Sequence, residues 1–119
     1  KKNIIFTNDI EHLHNSKIVI VTVPTPVDSS NVPDLLPLRY ACEIIGGTLL
    51  TGDLVIFEST VYPGATEEFC IPILEKKSKL KHKQDFNVGY SPERINPGDK
   101  DRGMGDVVKV ISGDTKNSA

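Results

Sequence analysis

The sequence predicts an open α/β fold in which helices flank a parallel β-sheet. Short runs rich in β-branched residues alternate along the chain with stretches in which apolar residues recur at helical spacing. Successive runs are joined by segments long enough to hold a helix, as a right-handed β-α-β crossover requires. The 119 residues suit one compact domain, because domains of about 100–150 residues are the most frequent.

The first part of the chain contains a small helix and one strong strand. An apolar run at residues 4–6 is followed by Thr7-Asn8-Asp9, which can cap a short helix extending through Leu13. The run from Lys17 to Val23 is continuous and largely β-branched, which is typical of a strand covered on both faces of a parallel sheet. Pro24-Thr25-Pro26 ends this strand, because proline cannot donate to a sheet ladder.

A longer helix is predicted to begin between Asp34, a candidate N-cap, and Pro37. Gly46-Gly47 interrupts its helical composition, and we expect these glycines to let the helix approach the sheet closely. Thr51-Gly52-Asp53 ends the helix, and Leu54 to Phe57 forms the second strand. The apolar stripe of this helix comprises Leu38, Ala41, Cys42, Ile45 and Leu49.

The remaining part of the chain predicts one more helix and two strands. The helix extends from about Thr66 to Lys79, and Pro72 should kink it or mark a late start. Phe86 to Tyr90 forms the third strand, and Val107 to Ser112 forms a fourth. The succession of elements predicts a Rossmann-like open parallel sheet with flanking helices.

Composition argues against several classes of partner. The net charge is −2, and no cluster of Lys and Arg gives the electrostatic footprint of nucleic acid binding. No apolar run approaches the roughly 20 residues of a membrane helix, and we find no signal peptide. Cys42 and Cys70 lie among apolar residues without metal-ligand spacing, so we predict no metal site. We interpret both as buried free thiols of a reduced, cytoplasmic protein rather than as catalytic thiols.

Three loops follow the three successive strands of the predicted parallel sheet. They are Pro24-Thr25-Pro26, Ser59-Thr60-Val61 and Ser91-Pro92-Glu93. Ligands of open α/β sheets bind outside the carboxyl ends of the strands. If the three strands are neighbours, the three loops line one crevice.

The polar residues of these loops allow both functional and structural interpretations. The hydroxyls of Ser59 and Thr60 can hold a water or a substrate oxygen, or can cap the loop, and for Ser59 we favour capping. Glu93 can act as a general base if burial raises its pKa, or can be a surface glutamate paired with Arg94. Arg94 and Asn96 can bind a polar ligand or tie the loop down.

Three segments in order carry a family resemblance: 23–26, 58–68 and 89–100. They resemble the UDP-glucose/GDP-mannose dehydrogenase family, and most of all its branch that oxidises UDP-N-acetylhexosamines for capsule and related surface polysaccharides. The resemblance extends from the run before Pro24 to Gly113. It implies an NAD-dependent UDP-sugar 6-dehydrogenase, cytoplasmic and homo-oligomeric. Such enzymes oxidise the C6 alcohol to a carboxylate in two hydride transfers to NAD, through a thiohemiacetal and a thioester on a cysteine.

The resemblance also implies roles for individual residues. Thr60 matches the threonine that holds the catalytic water near the nicotinamide, and Glu93 matches the glutamate of acid/base work and thioester hydrolysis. Pro24 and Thr25, with the strand-end hydroxyls of Ser59 and Thr60, are the implied cofactor contacts.

For the substrate, the implied contacts are Glu93, Arg94 and Asn96. Pro97 stands where the UDP-glucose enzymes carry a second glutamate, which favours a UDP-N-acetylhexosamine over UDP-glucose.

Several family motifs are not present in these 119 residues. We find no Gly-x-Gly-x-x-Gly after the first strand, and Gly103-Met104-Gly105 follows no predicted strand. The family's catalytic lysine and asparagine and its nucleophilic cysteine also have no match. We therefore expect the second half of an NAD-binding domain, without the substrate domain and inactive alone. The alternative is a stand-alone Rossmann-like binding or scaffold domain without catalysis.

Overall fold

The computed structural model describes residues 3–94, 107–116 and 118. Within these residues, four strands form one sheet in the order β1-β2-β3-β4. The elements in chain order are a 3-10 helix at Ile10–Asn15, β1 at Ile18–Val21, α1 at Leu36–Thr48, β2 at Leu54–Phe57, a π-helical turn at Thr66–Cys70 that leads into α2 at Ile71–Ser78, β3 at Asn87–Tyr90, and β4 at Ser112–Gly113. None of the helices in this described part is long and apolar enough to cross a membrane.

The sheet is parallel across its first three strands. Ile18 pairs with Leu54, and Leu54 in turn pairs with Asn87, so β1, β2 and β3 lie in register side by side. This arrangement confirms the predicted parallel sheet and its β-α-β connections. It also places the loops that follow these three strands at one edge of the sheet.

The fourth strand differs from its prediction. A strand was expected at Val107 to Ser112, but β4 comprises only Ser112 and Gly113, and it is antiparallel to β3. Tyr90, the last residue of β3, pairs with Ser112. Residues 108–111 therefore lie beyond the end of β3, where the β3 ladder offers them no partner, although their β-branched composition suits a strand.

Both helices pack on the same face of the sheet. Alternate strand residues point to that face, and the opposite face of β1 is uncovered among the described residues, with Ile18 58% and Ile20 54% exposed. The prediction that β1 is covered on both faces is therefore wrong for this part of the chain. The buried core consists of Val21, Leu38, Cys42, Ile45, Leu49, Val55, Phe57, Cys70, Ile71, Leu74, Phe86 and Val88.

The apolar stripe of α1 is confirmed, but its glycines act differently from the expectation. A Cβ atom added to Gly46 would lie 2.7 Å from Cβ of Lys77 and 3.3 Å from the carbonyl oxygen of Leu74. Gly46 therefore permits close approach to α2 rather than to the sheet. Gly47 has open space around it.

The ends of both helices follow the sequence signals. Asp34 Oδ1 accepts a hydrogen bond from the Leu36 amide at the start of α1. Pro72 lies in the first turn of α2, where its missing N–H costs no helical hydrogen bond. The wide turn before it is closed by the Ile71 amide, which donates to the carbonyl of Thr66. Pro72 thus marks the late start of a regular α-helix.

The short 3-10 helix also begins where the sequence predicts. The Asp9 side chain caps it by accepting from the Glu11 amide at 3.0 Å. The apolar run before it is exposed, and Phe6 is 94% accessible.

Asp114 fastens β4 to the parallel part of the sheet. Its Oδ2 accepts from the Val88 amide at 2.8 Å and lies 2.6 Å from Nε2 of His82, and its Oδ1 accepts from the Ser118 hydroxyl at 2.7 Å. Burial by itself raises the pKa of Asp114, but the hydrogen bonds from Ser118, Val88 and His82 outweigh it and lower the pKa below its usual value.

Candidate functional site

The loops after β1, β2 and β3 line a common cleft of about 310 Å³. This confirms that the three loops share one crevice, as the rule for open α/β sheets predicts. The lining residues are Thr22, Val23, Pro24, Thr25, Glu58, Ser59, Thr60 and Glu93.

Backbone hydrogen bonds fix the place where each loop leaves the sheet. The Glu58 amide donates to the carbonyl of Val21 at 2.9 Å, and the Ser91 amide donates to the carbonyl of Phe57 at 2.9 Å. The parallel ladder therefore continues one residue past β2 and past β3. Ser59 and Thr60 are the first residues after this ladder, so a rigid strand end positions them.

Two hydroxyls of the cleft are buried and lack a hydrogen-bond partner among the described residues, namely Oγ1 of Thr25 and Oγ of Ser59. A buried unsatisfied hydroxyl costs about 1–3 kcal/mol, so a folded protein rarely leaves one without a reason. Capping of the loop by Ser59, which we favoured from the sequence, is wrong for the described part of the chain: the residue is only 4% exposed and its hydroxyl oxygen has no hydrogen-bond partner there. Both oxygens fit a bound ligand that supplies polar atoms.

Thr60 and Glu93, the two predicted catalytic residues, both line the cleft and are both exposed. Glu93 Oε1 accepts from the backbone amide of Arg94 at 2.7 Å. The burial that the general-base interpretation requires is not provided by the described part of the chain. Arg94 is exposed and does not line the cleft, and Asn96 lies outside the described residues, as do Pro97 and the glycines at 103 and 105.

One charged residue beside the cleft, Lys109, was not predicted from the sequence. Lys109 Nζ lies 3.1 Å from Oε1 of Glu58, which lines the cleft. The one signal in the sequence is a single lysine within the β-branched run at 107–112, which predicts a strand with one charged side chain.

The cysteines lie away from the cleft, in the core between the helices. Cys42 is 0% and Cys70 is 1% exposed, and both are free thiols, as predicted. A hydrogen bond with Cys70 and burial raise the pKa of Cys42, which keeps its thiol protonated and unreactive. Across residues 3–94, 107–116 and 118, no group of His, Cys, Asp or Glu side chains is placed to hold a metal ion.

Proteins of similar sequence include nucleotide-sugar dehydrogenases. The UDP-N-acetyl-D-glucosamine 6-dehydrogenase of Pseudomonas aeruginosa is 55% identical over 114 residues, which are 96% of this chain and 27% of that protein. Protein CapL of Staphylococcus aureus is 53% identical over 95% of this chain and 27% of its own length. The chain therefore spans about a quarter of the length of these relatives.

A crystal structure with a similar fold is that of the NDP-N-acetyl-D-galactosaminuronic acid dehydrogenase of Methanosarcina mazei Go1, with a TM-score of 0.82 and 30% identity over 92% of this chain and 24% of that one. The sequence profile of the UDP-glucose/GDP-mannose dehydrogenase NAD binding domain matches residues 1–119. The Rossmann-like fold, the cleft and this match agree, and the chain belongs to the UDP-glucose/GDP-mannose dehydrogenase family, as part of its NAD binding domain.

Proposed function

We propose that this chain is part of an NAD-dependent UDP-sugar 6-dehydrogenase that oxidises a UDP-N-acetylhexosamine to its uronic acid. The cleft carries the proposal, because two buried, unpartnered hydroxyls line it at the carboxyl ends of parallel strands. The names of the relatives at 55% and 51% identity support the choice of an N-acetylated sugar. Because the chain spans about a quarter of these relatives, the activity is assigned to the whole protein that contains it.

The cleft residues fit a dinucleotide. The Thr25 and Ser59 hydroxyls can donate to, and accept from, the polar groups of NAD, which would satisfy both buried oxygens. Pro24 fixes the backbone of the loop that carries Thr25. When bound, NAD supplies the hydride acceptor for oxidation of the sugar alcohol.

Thr60 and Glu93 are proposed to carry the chemistry at the open side of the cleft. The Thr60 hydroxyl would hold a water, and the Glu93 carboxylate would take a proton from it. Arg94 and Asn96 are proposed to contact the sugar nucleotide. The exposure of Arg94 leaves it accessible to a substrate bound by the rest of the protein.

Family membership also supports proposals about localisation, assembly and biological role. We propose that the protein is cytoplasmic and homo-oligomeric, and that it serves the synthesis of capsule or another surface polysaccharide. The substrate domain and the nucleophilic cysteine are proposed to lie outside residues 1–119, so that this part alone is inactive. The relative named CapL supports the capsule assignment.

The test is turnover by the full-length protein. NADH formation is measured with UDP-GlcNAc, UDP-GalNAc and UDP-glucose as substrates. We expect kcat/KM for one of the N-acetylated sugars to exceed that for UDP-glucose by at least about tenfold, equivalent to about 1.4 kcal/mol. A preference for UDP-glucose would contradict the proposed substrate class.

Two variants test the cleft itself. Thr25→Val and Ser59→Ala should each weaken NAD binding by about two- to tenfold, as expected for one lost hydrogen bond of about 0.5–1.5 kcal/mol. Thr51→Val is the control, because Thr51 is an exposed hydroxyl before the amino end of β2. If the full-length protein binds NAD but forms no NADH with any of the three sugars, the scaffold alternative is correct.

A further inference from the structure

Lys109 contacts a residue of the cleft wall from a segment to which no role has been assigned. Its Nζ lies 3.1 Å from Oε1 of Glu58, and the two side chains are 43% and 25% exposed. Glu58 immediately precedes Ser59 and Thr60 and lines the cleft. The ion pair therefore connects the wall of the proposed cofactor site to the chain that leads into β4.

The segment that carries Lys109 is held in place on its carboxyl-terminal side by two hydrogen bonds. The Ser91 hydroxyl donates to the carbonyl of Val110 at 2.9 Å, and the Ser112 hydroxyl donates to the carbonyl of Tyr90 at 3.2 Å. Ser91 itself is only 3% exposed. Lys109 is thus presented from a backbone fastened to the end of β3, rather than from a free surface loop.

Charge at this position matters because the proposed ligand is an anion. Glu58 and Glu93 both line the cleft, so two acidic residues lie beside the same space. An unpaired carboxylate repels a pyrophosphate-bearing ligand, and the repulsion is stronger in a partly buried cleft than in water. The ammonium of Lys109 neutralises Glu58 and holds its side chain in one position.

We propose that Lys109 is a positioning residue of the NAD cleft, which keeps Glu58 neutralised so that the anionic dinucleotide can bind beside Ser59 and Thr60. The inference rests on the proposed function, because it takes the ligand of the cleft to be NAD. Lys109 acts through Glu58 and is not a catalytic residue.

The chain offers a matched control for this ion pair. Lys17 Nζ lies 3.0 Å from Oδ1 of Asp53 before the amino end of β2, away from the cleft. Lys109→Met and Lys17→Met each remove one lysine from an ion pair of nearly equal length. Only the first change exposes a carboxylate of the cleft.

The experiment measures NAD affinity by calorimetry, and turnover, in the full-length protein. Lys109→Met should weaken NAD binding about three- to fivefold, the upper range for a partly exposed ion pair, with kcat little changed. Lys109→Arg should restore affinity, and Lys17→Met should not alter it. Glu58→Gln combined with Lys109→Met should recover most of the loss, because no unpaired carboxylate remains. Added salt should reduce the effect by screening.

Each remaining outcome counts against a defined claim. If Lys109→Met and Lys17→Met both lower the melting temperature and neither changes the NAD affinity, Lys109 is only structural and the inference fails. If the double variant binds NAD as weakly as Lys109→Met alone, neutralisation of Glu58 is refuted. Intact NAD binding without turnover would contradict the proposed function and leave the Lys109 result valid.

Discussion

Replacement of Gly46 by alanine should destabilise the protein, although alanine is the better helix former. The position is buried between α1 and α2, and an added Cβ atom would lie 2.7 Å from Cβ of Lys77. Ordinary contact begins at 3.4 Å, so the two helices would have to separate by several tenths of an ångström. The obstructing atoms are the Lys77 Cβ and the Leu74 backbone, neither of which can move by a side-chain rotation.

The magnitude follows from two opposing effects. Glycine to alanine within a helix stabilises by roughly 0.5–1 kcal/mol, because the unfolded chain loses backbone freedom. Overpacking a close contact costs about 1–3 kcal/mol. For Gly46→Ala these two ranges give a net loss of up to about 2.5 kcal/mol, and about 1 kcal/mol at their midpoints. A Cβ atom added to Gly47 has no atom within 4 Å, so Gly47→Ala should show only the stabilisation from the alanine.

Urea unfolding of the two variants and the wild type gives the comparison. The two alanine variants should differ by about 1–3 kcal/mol, with Gly47→Ala above the wild type and Gly46→Ala below it. The same residue type is introduced at adjacent positions of the same helix, so the effect of helix propensity largely cancels. Equal stability of the two variants would show that α1 and α2 can separate without a measurable cost, and it would refute the reasoning.

Three further predictions concern stability. Asp114→Asn should cost about 1–3 kcal/mol in urea unfolding, because a partly buried acceptor for several donors is weakened. The folded-state pKa of Asp114 is lowered, so its contribution is present above the unfolded pKa of about 3.9 and lost as the pH falls through the folded pKa. The free energy of unfolding of the variant should accordingly fall less on acidification than that of the wild type. The same fall in both proteins would contradict this. Asp53→Asn should cost about 1–3 kcal/mol, because this 3% exposed carboxylate accepts from Lys17 and from the Leu50 amide, and a thermal melt indistinguishable from wild type would refute it. Leu74→Ala should cost about 2–5 kcal/mol, since Leu74 is fully buried, and a loss under 1 kcal/mol would mean that the site collapses around the cavity.

The sequence was informative about elements whose causes are local. The parallel strands were predicted because β-branched runs bounded by breakers need no knowledge of distant residues. The late start of α2, with Pro72 in its first turn, was one of the two outcomes that the ring geometry of proline allows, the other being a kink. The partner of Gly46 and the direction of β4 depend on which elements meet in space, and composition does not carry that information.

The candidate site divides in the same way. The shared crevice was predictable, because the carboxyl ends of neighbouring parallel strands must meet at one edge. The unsatisfied state of the Ser59 oxygen was not predictable, since a serine after a strand most often caps its own loop, and only the packing of the described residues leaves this oxygen without a partner among them. Lys109 was not predictable from a motif, because its contact with Glu58 spans 51 positions of the chain (109 − 58) and needs the return of the chain along β3.

Two lysine–carboxylate pairs of nearly equal length show that distance alone does not assign a role. The pairs lie at opposite ends of β2. Lys17 and Asp53 are at its amino end, and Lys109 and Glu58 are at its carboxyl end, with nitrogen–oxygen distances of 3.0 and 3.1 Å. Asp53 is buried and also accepts from the Leu50 amide, so its charge is used within the fold. Glu58 lines a cleft that contains two unsatisfied hydroxyls, so its charge lies close to any ligand that binds there. If strand direction decides which pair is functional, ligand affinity should respond to Lys109 and stability to Asp53, and a reversed pattern would show that this sheet binds at its other edge.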